Sequence, residues 1–135
     1  MDLLKEAGYT YMMDWPCDDQ PIWMRTRAGP MLSVPYSFEV NDTIAAIRRR
    51  HSGREFADMI VDQFEEMAEQ SLEQPLVCSI PLHPFVVAQP FRLRPLRQAL
   101  KHCLEHKCRD RVWVTRPGDI ADHCYRLPPG VIPAS

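Results

Sequence analysis

A histidine ends the most apolar short stretch of this chain. The run LVCSIPL at positions 76–82 lies between two prolines and leads directly into His83. A short, nearly continuous apolar run predicts a strand buried on both faces, as in a parallel sheet. The carboxyl end of such a strand is where parallel α/β proteins build active sites, and a histidine there can transfer a proton near neutral pH. His83 is therefore the first catalytic candidate, with a packed strand-end histidine as the ordinary alternative.

A second polar edge follows another predicted strand, at positions 9–13. Asp14 and Trp15 come directly after it, and Asp18 and Glu39 are further acidic residues predicted on the same edge. An aspartate after a strand often does no more than cap a turn, and acidic residues in loops are ordinarily solvated. Asp18 and Glu39 are accordingly weaker site candidates than Asp14 and Trp15.

His102 and His106 stand four residues apart on a predicted helix, the spacing at which two imidazoles can bind a divalent metal. Cys103 and Cys108 are close to them in the sequence. No carboxylate at a predicted strand end is placed to join the pair, however, and histidine is favourable at the negative end of a helix dipole. The pattern therefore predicts a solvated helix end, and no metal site is expected from it.

Helices and strands are predicted in alternation along the chain. A helix begins at Thr43, with Asn41 or Asp42 as its N-cap, and a capping box formed by Ser52 and Glu55 opens the next helix. This order favours an α/β fold of parallel strands that alternate with helices. The other predicted elements are strands over 9–13, 31–34, 76–83 and 111–115, a loop over 16–30, and helices over 93–104 and from Pro117.

Composition narrows the class of protein. The 135 residues are 45% hydrophobic, which allows a buried core, and 16 basic against 18 acidic residues leave no strongly basic surface for nucleic acid. No apolar run approaches the roughly 20 residues that cross a bilayer. Five irregularly spaced cysteines favour reduced thiols over a disulfide framework. We therefore expect a cytoplasmic protein that binds neither nucleic acid nor a membrane.

Two blocks of the sequence resemble those of the NodB-type polysaccharide deacetylases. Tyr11-Met-Met-Asp14-Trp15, followed by Pro-Cys-Asp-Asp-Gln-Pro, is similar to the family's Asp-x-x-Asp-Trp block, although Tyr11 replaces its first aspartate. Ile80-Pro-Leu-His83 is similar to the late Leu-x-His block. The two blocks occur in the same order as in the family. The segment Ser-Val-Pro-Tyr between them resembles the metal-independent allantoinase-like branch. The resemblance spans residues 3–122.

The resemblance implies an incomplete version of the family fold, which is a longer distorted (β/α) barrel. The early family blocks, a Thr-Phe-Asp-Asp strand end and a His-x-x-x-His pair, supply the catalytic base and metal ligands, and neither precedes Tyr11. The chain is thus expected to form the C-terminal half of such a barrel over residues 1–126, with a proline-rich tail over 127–135. A divalent metal would be expected only if a longer parent chain supplied its ligands, and no other cofactor is implied.

The resemblance also implies an activity, the hydrolysis of non-peptide carbon–nitrogen bonds. His83 would be the general acid that protonates the leaving amine, Asp14 would orient the imidazole or another basic group, and Trp15 would line the substrate pocket. The substrate would be a ring amide such as allantoin or an N-acetylated sugar. The alternative is a non-catalytic fragment, or one piece of a split barrel that needs a complementary N-terminal half or a second copy of itself.

Overall fold

The structure, a computed structural model, describes residues 1–134 and divides the chain into two compact units. The terminal unit combines Met1–Tyr36 with the chain from Val114 onward, and the central unit is Ser37–Trp113. Within residues 1–134, no helix is both long enough and apolar enough to cross a lipid bilayer. The predicted division into a domain over 1–126 and a tail over 127–135 stays a prediction.

A three-stranded mixed sheet organises the terminal unit. Its strands lie in the order β1-β3-β2, with β1 parallel and β2 antiparallel to the central strand. The central strand β3 is buried along its whole length, whereas the edge strands are only partly buried. The elements of the unit are helix α1 (Asp2–Glu6), strands β1 (Tyr11–Met12), β2 (Ile22–Met24) and β3 (Met31–Ser33), and helix α5 (Pro117–Arg126).

Helix α5 covers the sheet and closes the core of the terminal unit. Ala121 and Cys124 of the helix pack with Leu32 and Val34 in one buried cluster. The Tyr125 hydroxyl donates a hydrogen bond to the carbonyl oxygen of Thr10 at 2.7 Å. The helix from Pro117 and the strands within 9–13 and 31–34 are confirmed.

The prediction of a loop over 16–30 is wrong in part, because strand β2 lies within this segment. Only three residues, Ile-Trp-Met, form the strand, and such a short segment has too few positions to show a period-two pattern. Because β2 runs antiparallel to β3, the prediction of an all-parallel sheet is wrong, whereas the α/β class holds.

Two long helices, α2 (Gly53–Gln70) and α4 (Pro90–Glu105), pack against each other in the central unit. Both were predicted, α2 from its capping box and α4 from its spaced leucines. The helix predicted from Thr43 is also present, but it is a π-helical segment, Thr43–Arg48. The unit also contains helix α3 (Pro84–Val87) and a 3₁₀ turn (Arg109–Arg111). The buried cluster comprises Val40, Ala45, Phe56, Ala57, Ile60, Val87, Leu96 and Ala99.

The predicted strands over 76–83 and 111–115 are wrong. Residues 76–83 have no regular secondary structure, and residues 76–81 are partly buried rather than enclosed on both faces. A strand needs a ladder of backbone hydrogen bonds to a neighbour, and Pro81 has no N–H to donate. The carbonyl oxygen of Pro81 instead accepts a hydrogen bond from Asp42 N at 3.3 Å. The 3₁₀ turn occupies the start of the second segment, and residues 112–116 are irregular.

The capping box at the start of α2 makes stability depend on pH. Ser52 N donates to Glu55 Oε2 at 2.7 Å, and Glu55 N donates to Ser52 Oγ at 3.2 Å. The hydrogen bonds from Ser52, its backbone N–H first, lower the pKa of Glu55 below its ordinary value of 4.5. A lowered folded pKa contributes stability that is fully present above the unfolded pKa and is lost as pH falls through the folded pKa.

We therefore expect wild type to be more stable than Glu55→Gln at neutral pH, and this advantage to disappear in acid below the lowered pKa. Glutamine can keep the reciprocal hydrogen bond but cannot titrate. The free energy of unfolding of both proteins, measured by denaturant at a series of pH values, checks this. Asp62→Asn, an exposed change on the same helix, is the control. A difference that does not change with pH would contradict the assignment.

Helix α2 begins where the backbone of α4 passes very close. A Cβ atom added to Gly53 would lie 2.9 Å from the Cα atom of Arg92 and 3.3 Å from the carbonyl oxygen of Phe91. Because these are main-chain atoms, they cannot rotate away. Gly53→Ala is therefore expected to lower the free energy of unfolding by about 1–3 kcal/mol, the usual cost of overpacking. Denaturant unfolding measures it, and the exposed neighbour Arg54→Ala should have little effect. A Gly53→Ala protein as stable as wild type would contradict the close approach.

Candidate active site

His83 forms a close pair with a buried carboxylate of the central unit. Its ring nitrogen Nδ1 lies 2.6 Å from Asp42 Oδ1. Its backbone N donates to the other carboxylate oxygen, Oδ2, at 2.7 Å. Asp42 is 0% exposed, whereas the side chain of His83 is 36% exposed. One buried carboxylate therefore holds both the main chain and the ring of a histidine that solvent can reach.

Local sequence explains why Asp42 is available for this contact. Two residues could cap the helix that begins at Thr43, and Asn41 does so: its Oδ1 accepts from Thr43 N at 3.0 Å and from Ile44 N at 3.4 Å. Asp42 occupies the N-cap position, but its carboxylate makes no capping bond. It is thus free to point away from the helix start and to accept from His83.

The chain after His83 fixes the histidine from its other side. His83 has extended backbone angles and stands directly before helix α3, which opens with Pro84 in its first turn. The His83 carbonyl oxygen accepts from Val86 N at 2.8 Å and from Val87 N at 3.0 Å. Because proline is well suited to the first turn of a helix, the sequence His-Pro defines where the irregular run ends and the helix begins.

Thr43 and Phe85 complete the surroundings of the ring. Thr43 Oγ1 lies 3.0 Å from His83 Nδ1 and donates to Asp42 Oδ1 at 3.4 Å. The ring of Phe85, which is 75% exposed, meets the imidazole edge-on with centroids 5.5 Å apart. An apolar wall thus stands beside the accessible side of His83.

The arrangement leaves one ring nitrogen of His83 for chemistry. With the Asp42 carboxylate accepting from Nδ1–H, the second nitrogen, Nε2, can hold or release a proton. Within residues 1–134, no described hydrogen bond uses Nε2. A carboxylate behind a histidine fixes its ring orientation, an arrangement found in histidines that work as an acid or base.

The four other predicted site residues are all exposed. Asp14, Trp15 and Asp18 belong to the terminal unit, and Asp18 Oδ1 accepts from Asp19 N at 2.7 Å. Glu39 belongs to the central unit. The participation of these four residues in a site stays a prediction.

Asp42 is the site residue that sequence reasoning missed. The sequence predicts Asp42 as a possible helix cap, and this local role gives no indication of a second one. A signal was present, because the pair Asn41-Asp42 offers two capping side chains for one helix start. The spare carboxylate of such a pair is available for a partner distant in sequence.

A separate group of side chains in the central unit has the composition of a metal centre. Donor atoms of Glu65, His102 and His106 all lie within 4.8 Å of one another. Glu65 reaches the two histidines from helix α2, whereas the sequence pattern offered no carboxylate from a strand end. The Asp42–His83 pair does not belong to this group.

Comparison with solved structures places the chain among known folds. It is 30% identical to a PuuE allantoinase, with a TM-score of 0.85, over 94% of this chain and 42% of that one. A probable polysaccharide deacetylase from Pseudomonas aeruginosa PAO1 is also 30% identical, with a TM-score of 0.82 and the same coverage. A third structure, from Mycobacterium smegmatis, is 20% identical with a TM-score of 0.69 and supports the fold alone.

The chain spans less than half the length of the solved structures that it matches. No protein-family model matches it, and no curated protein sequence does. The two neighbours at 30% identity are an allantoinase and a polysaccharide deacetylase, the two branches that the Asp14-Trp15 and His83 blocks resemble. The chain is therefore similar to allantoinases and polysaccharide deacetylases, consistent with the C-terminal half of a NodB-type barrel.

Proposed function

We propose that this chain supplies the proton-donating side of a hydrolase that cleaves non-peptide carbon–nitrogen bonds. The observation that carries the proposal is the accessible imidazole of His83 held by the buried carboxylate of Asp42 at 2.6 Å. The similarity to an allantoinase and a deacetylase supports the reaction class. Both reactions break a bond between a carbonyl carbon and nitrogen, and both need a proton for the departing nitrogen.

The reaction proceeds by addition and elimination. Water adds to the amide carbonyl while a base outside this set of residues takes its proton. The tetrahedral intermediate then collapses, the electrons of the carbon–nitrogen bond move to nitrogen, and His83 Nε2–H donates the proton that makes nitrogen a good leaving group. Asp42 stabilises the positive charge that the ring carries before this transfer.

The remaining site residues take supporting roles in the proposal. Asp14 orients the imidazole or a second basic group, and Trp15, Asp18 and Glu39 contact the substrate. No cofactor is proposed for the reaction at His83. A divalent metal would be bound there only if another part of a longer chain supplied its ligands. The proposed location is the cytoplasm, with a small amide or N-acetylated sugar as the ligand.

Complementation tests this function directly. We expect the 135-residue chain alone to hydrolyse neither allantoin nor N-acetylglucosamine oligomers, because the proposal assigns the base to another part of the barrel. Adding a polypeptide that supplies the N-terminal half of a family barrel should produce turnover, measured as ring-opened product or as free acetate. A stable complex of the two polypeptides with no turnover of either substrate class would contradict the proposal.

A second candidate function is that of a non-catalytic piece of a split barrel. The central unit exposes large apolar side chains, including Phe85 at 75%, Phe91 at 68% and Trp113 at 58%. Large exposed apolar side chains of this kind are typical of a surface that meets another chain. Light scattering tests this candidate: it requires self-association or complex formation, and a clean monomer with one sharp unfolding transition would contradict it.

A further inference from the structure

Glu65, His102 and His106 form a cluster that bridges the two long helices of the central unit. Glu65 Oε1 lies 2.6 Å from His102 Nε2, and Glu65 Oε2 lies 3.2 Å from His106 Nε2. The histidines stand one helical turn apart at the end of α4, so both rings reach the same side of the helix. Each oxygen of one carboxylate therefore faces a different imidazole.

The burial of the three side chains is graded. His106 is 10% exposed, whereas Glu65 and His102 are 39% and 42% exposed. The cluster thus has one nearly buried side chain, His106, and two partly exposed side chains, Glu65 and His102, that can change rotamer. An ion from solvent can reach Glu65 and His102 without any opening of the core.

The surroundings of His106 fix the orientation of its ring. Cys108 Sγ lies 2.9 Å from His106 Nδ1, and Cys108 N lies 3.3 Å from the same nitrogen. Phe64 meets the ring edge-on, with centroids 5.4 Å apart. Histidines that bind metals usually have a hydrogen-bond partner on the ring nitrogen opposite the metal. In the described geometry Cys108 N donates to Nδ1. When Nε2 binds an ion, Nδ1 carries the proton instead, the bond from Cys108 N is given up, and Cys108 Sγ at 2.9 Å is the acceptor.

The donor set selects the class of ion. Two imidazole nitrogens and a carboxylate oxygen suit a borderline transition metal such as Zn²⁺, which binds nitrogen and oxygen at about 2.0–2.2 Å. The three donor atoms already lie within 4.8 Å of one another, so small rotations of Glu65 and His102 bring them around one ion. Calcium and magnesium, which prefer all-oxygen ligands, are disfavoured.

We propose that Glu65, His102 and His106 bind one Zn²⁺ ion, which links helix α2 to helix α4 and leaves a fourth position for water. The site is separate in its residues from the His83–Asp42 pair. Its existence does not depend on the proposed hydrolase function, and an inactive chain would still bind the ion.

Calorimetric titration of the chelator-treated full chain with ZnCl₂ tests the site. We expect one ion per chain and a saturable rise in Tm, because a ligand that binds only the folded state stabilises it. His102→Ala and Glu65→Gln should each weaken binding by about tenfold or more, since even residues behind the ligands contribute 10–100-fold. Both side chains are substantially exposed, so these variants should fold, and circular dichroism checks this.

Two controls distinguish the proposed site from other side chains of the protein that could bind a metal ion. His51→Ala removes a histidine that contacts Met59 Sδ at 3.3 Å, outside the cluster, and should leave zinc affinity unchanged. Titration with Co²⁺ reveals cysteine coordination through a thiolate charge-transfer band, which this nitrogen and oxygen site should lack. No zinc binding, unchanged affinity in His102→Ala, or a thiolate band lost on replacing the cysteines would each overturn the proposal.

Discussion

His83→Ala is expected to lower the turnover of an amide substrate by about 10²-fold or more in an active assembly that contains this chain. The expectation follows from the loss of the only proton donor that the proposed mechanism places at the leaving nitrogen. The change should appear in kcat more than in KM, because the proton is transferred in the transition state. Steady-state kinetics with the substrate that gives turnover in the complementation assay measure it.

A matched histidine makes this test specific. His51→Ala, a histidine of the same unit bound to a methionine sulfur, should retain wild-type kinetics. Unchanged turnover in His83→Ala would remove this residue from the reaction.

Asp42→Ala is expected to lower the free energy of unfolding by about 3 kcal/mol or more, since a hydrogen bond to a charged group contributes about 1.5–3 kcal/mol. The buried carboxylate accepts two short bonds from His83, at 2.6 and 2.7 Å. Its removal also leaves the backbone N–H of His83 without this acceptor. Denaturant unfolding with a single cooperative transition gives the value.

Variants of the neighbouring residues separate the carboxylate from its surroundings. Glu39→Ala removes an exposed acid three residues earlier and should change stability little. Thr43→Val removes the 3.4 Å bond to Asp42 and the 3.0 Å contact with His83 Nδ1 but keeps the carboxylate, so its effect should be smaller than that of Asp42→Ala. If Asp42→Ala were as stable as wild type, the carboxylate could not be the group that positions His83.

Helices were the part of the fold that the sequence predicted best, because their signals are local. The Ser52–Glu55 capping box and the leucine spacing of α4 involve contacts within one or two turns. Strands depend on partners distant in sequence. The apolar run over 76–82 has the composition of a buried strand, but it forms no strand within residues 1–134. Three-residue β2, by contrast, forms because β3 offers it a partner.

Of the two residues of the candidate pair, the sequence predicted His83 but not Asp42, for the same reason. His83 stood out because an apolar run ends there, and the Leu-x-His block gave it a role. Asp42 lies 41 positions away from it in the sequence, and a helix start gave it an adequate local explanation. Glu65 likewise joins His102 across 37 positions. In both clusters the residue that was missed is the carboxylate contributed by a different element.

The double attachment of His83 to Asp42 also has an entropic consequence. Immobilising a flexible side chain on binding costs roughly 0.5–1.5 kcal/mol. Here one carboxylate restrains both the backbone and the ring, so the rotational freedom of the imidazole is lost when the chain folds and not when a ligand arrives. A ligand that binds at His83 therefore meets a ring whose orientation is already fixed.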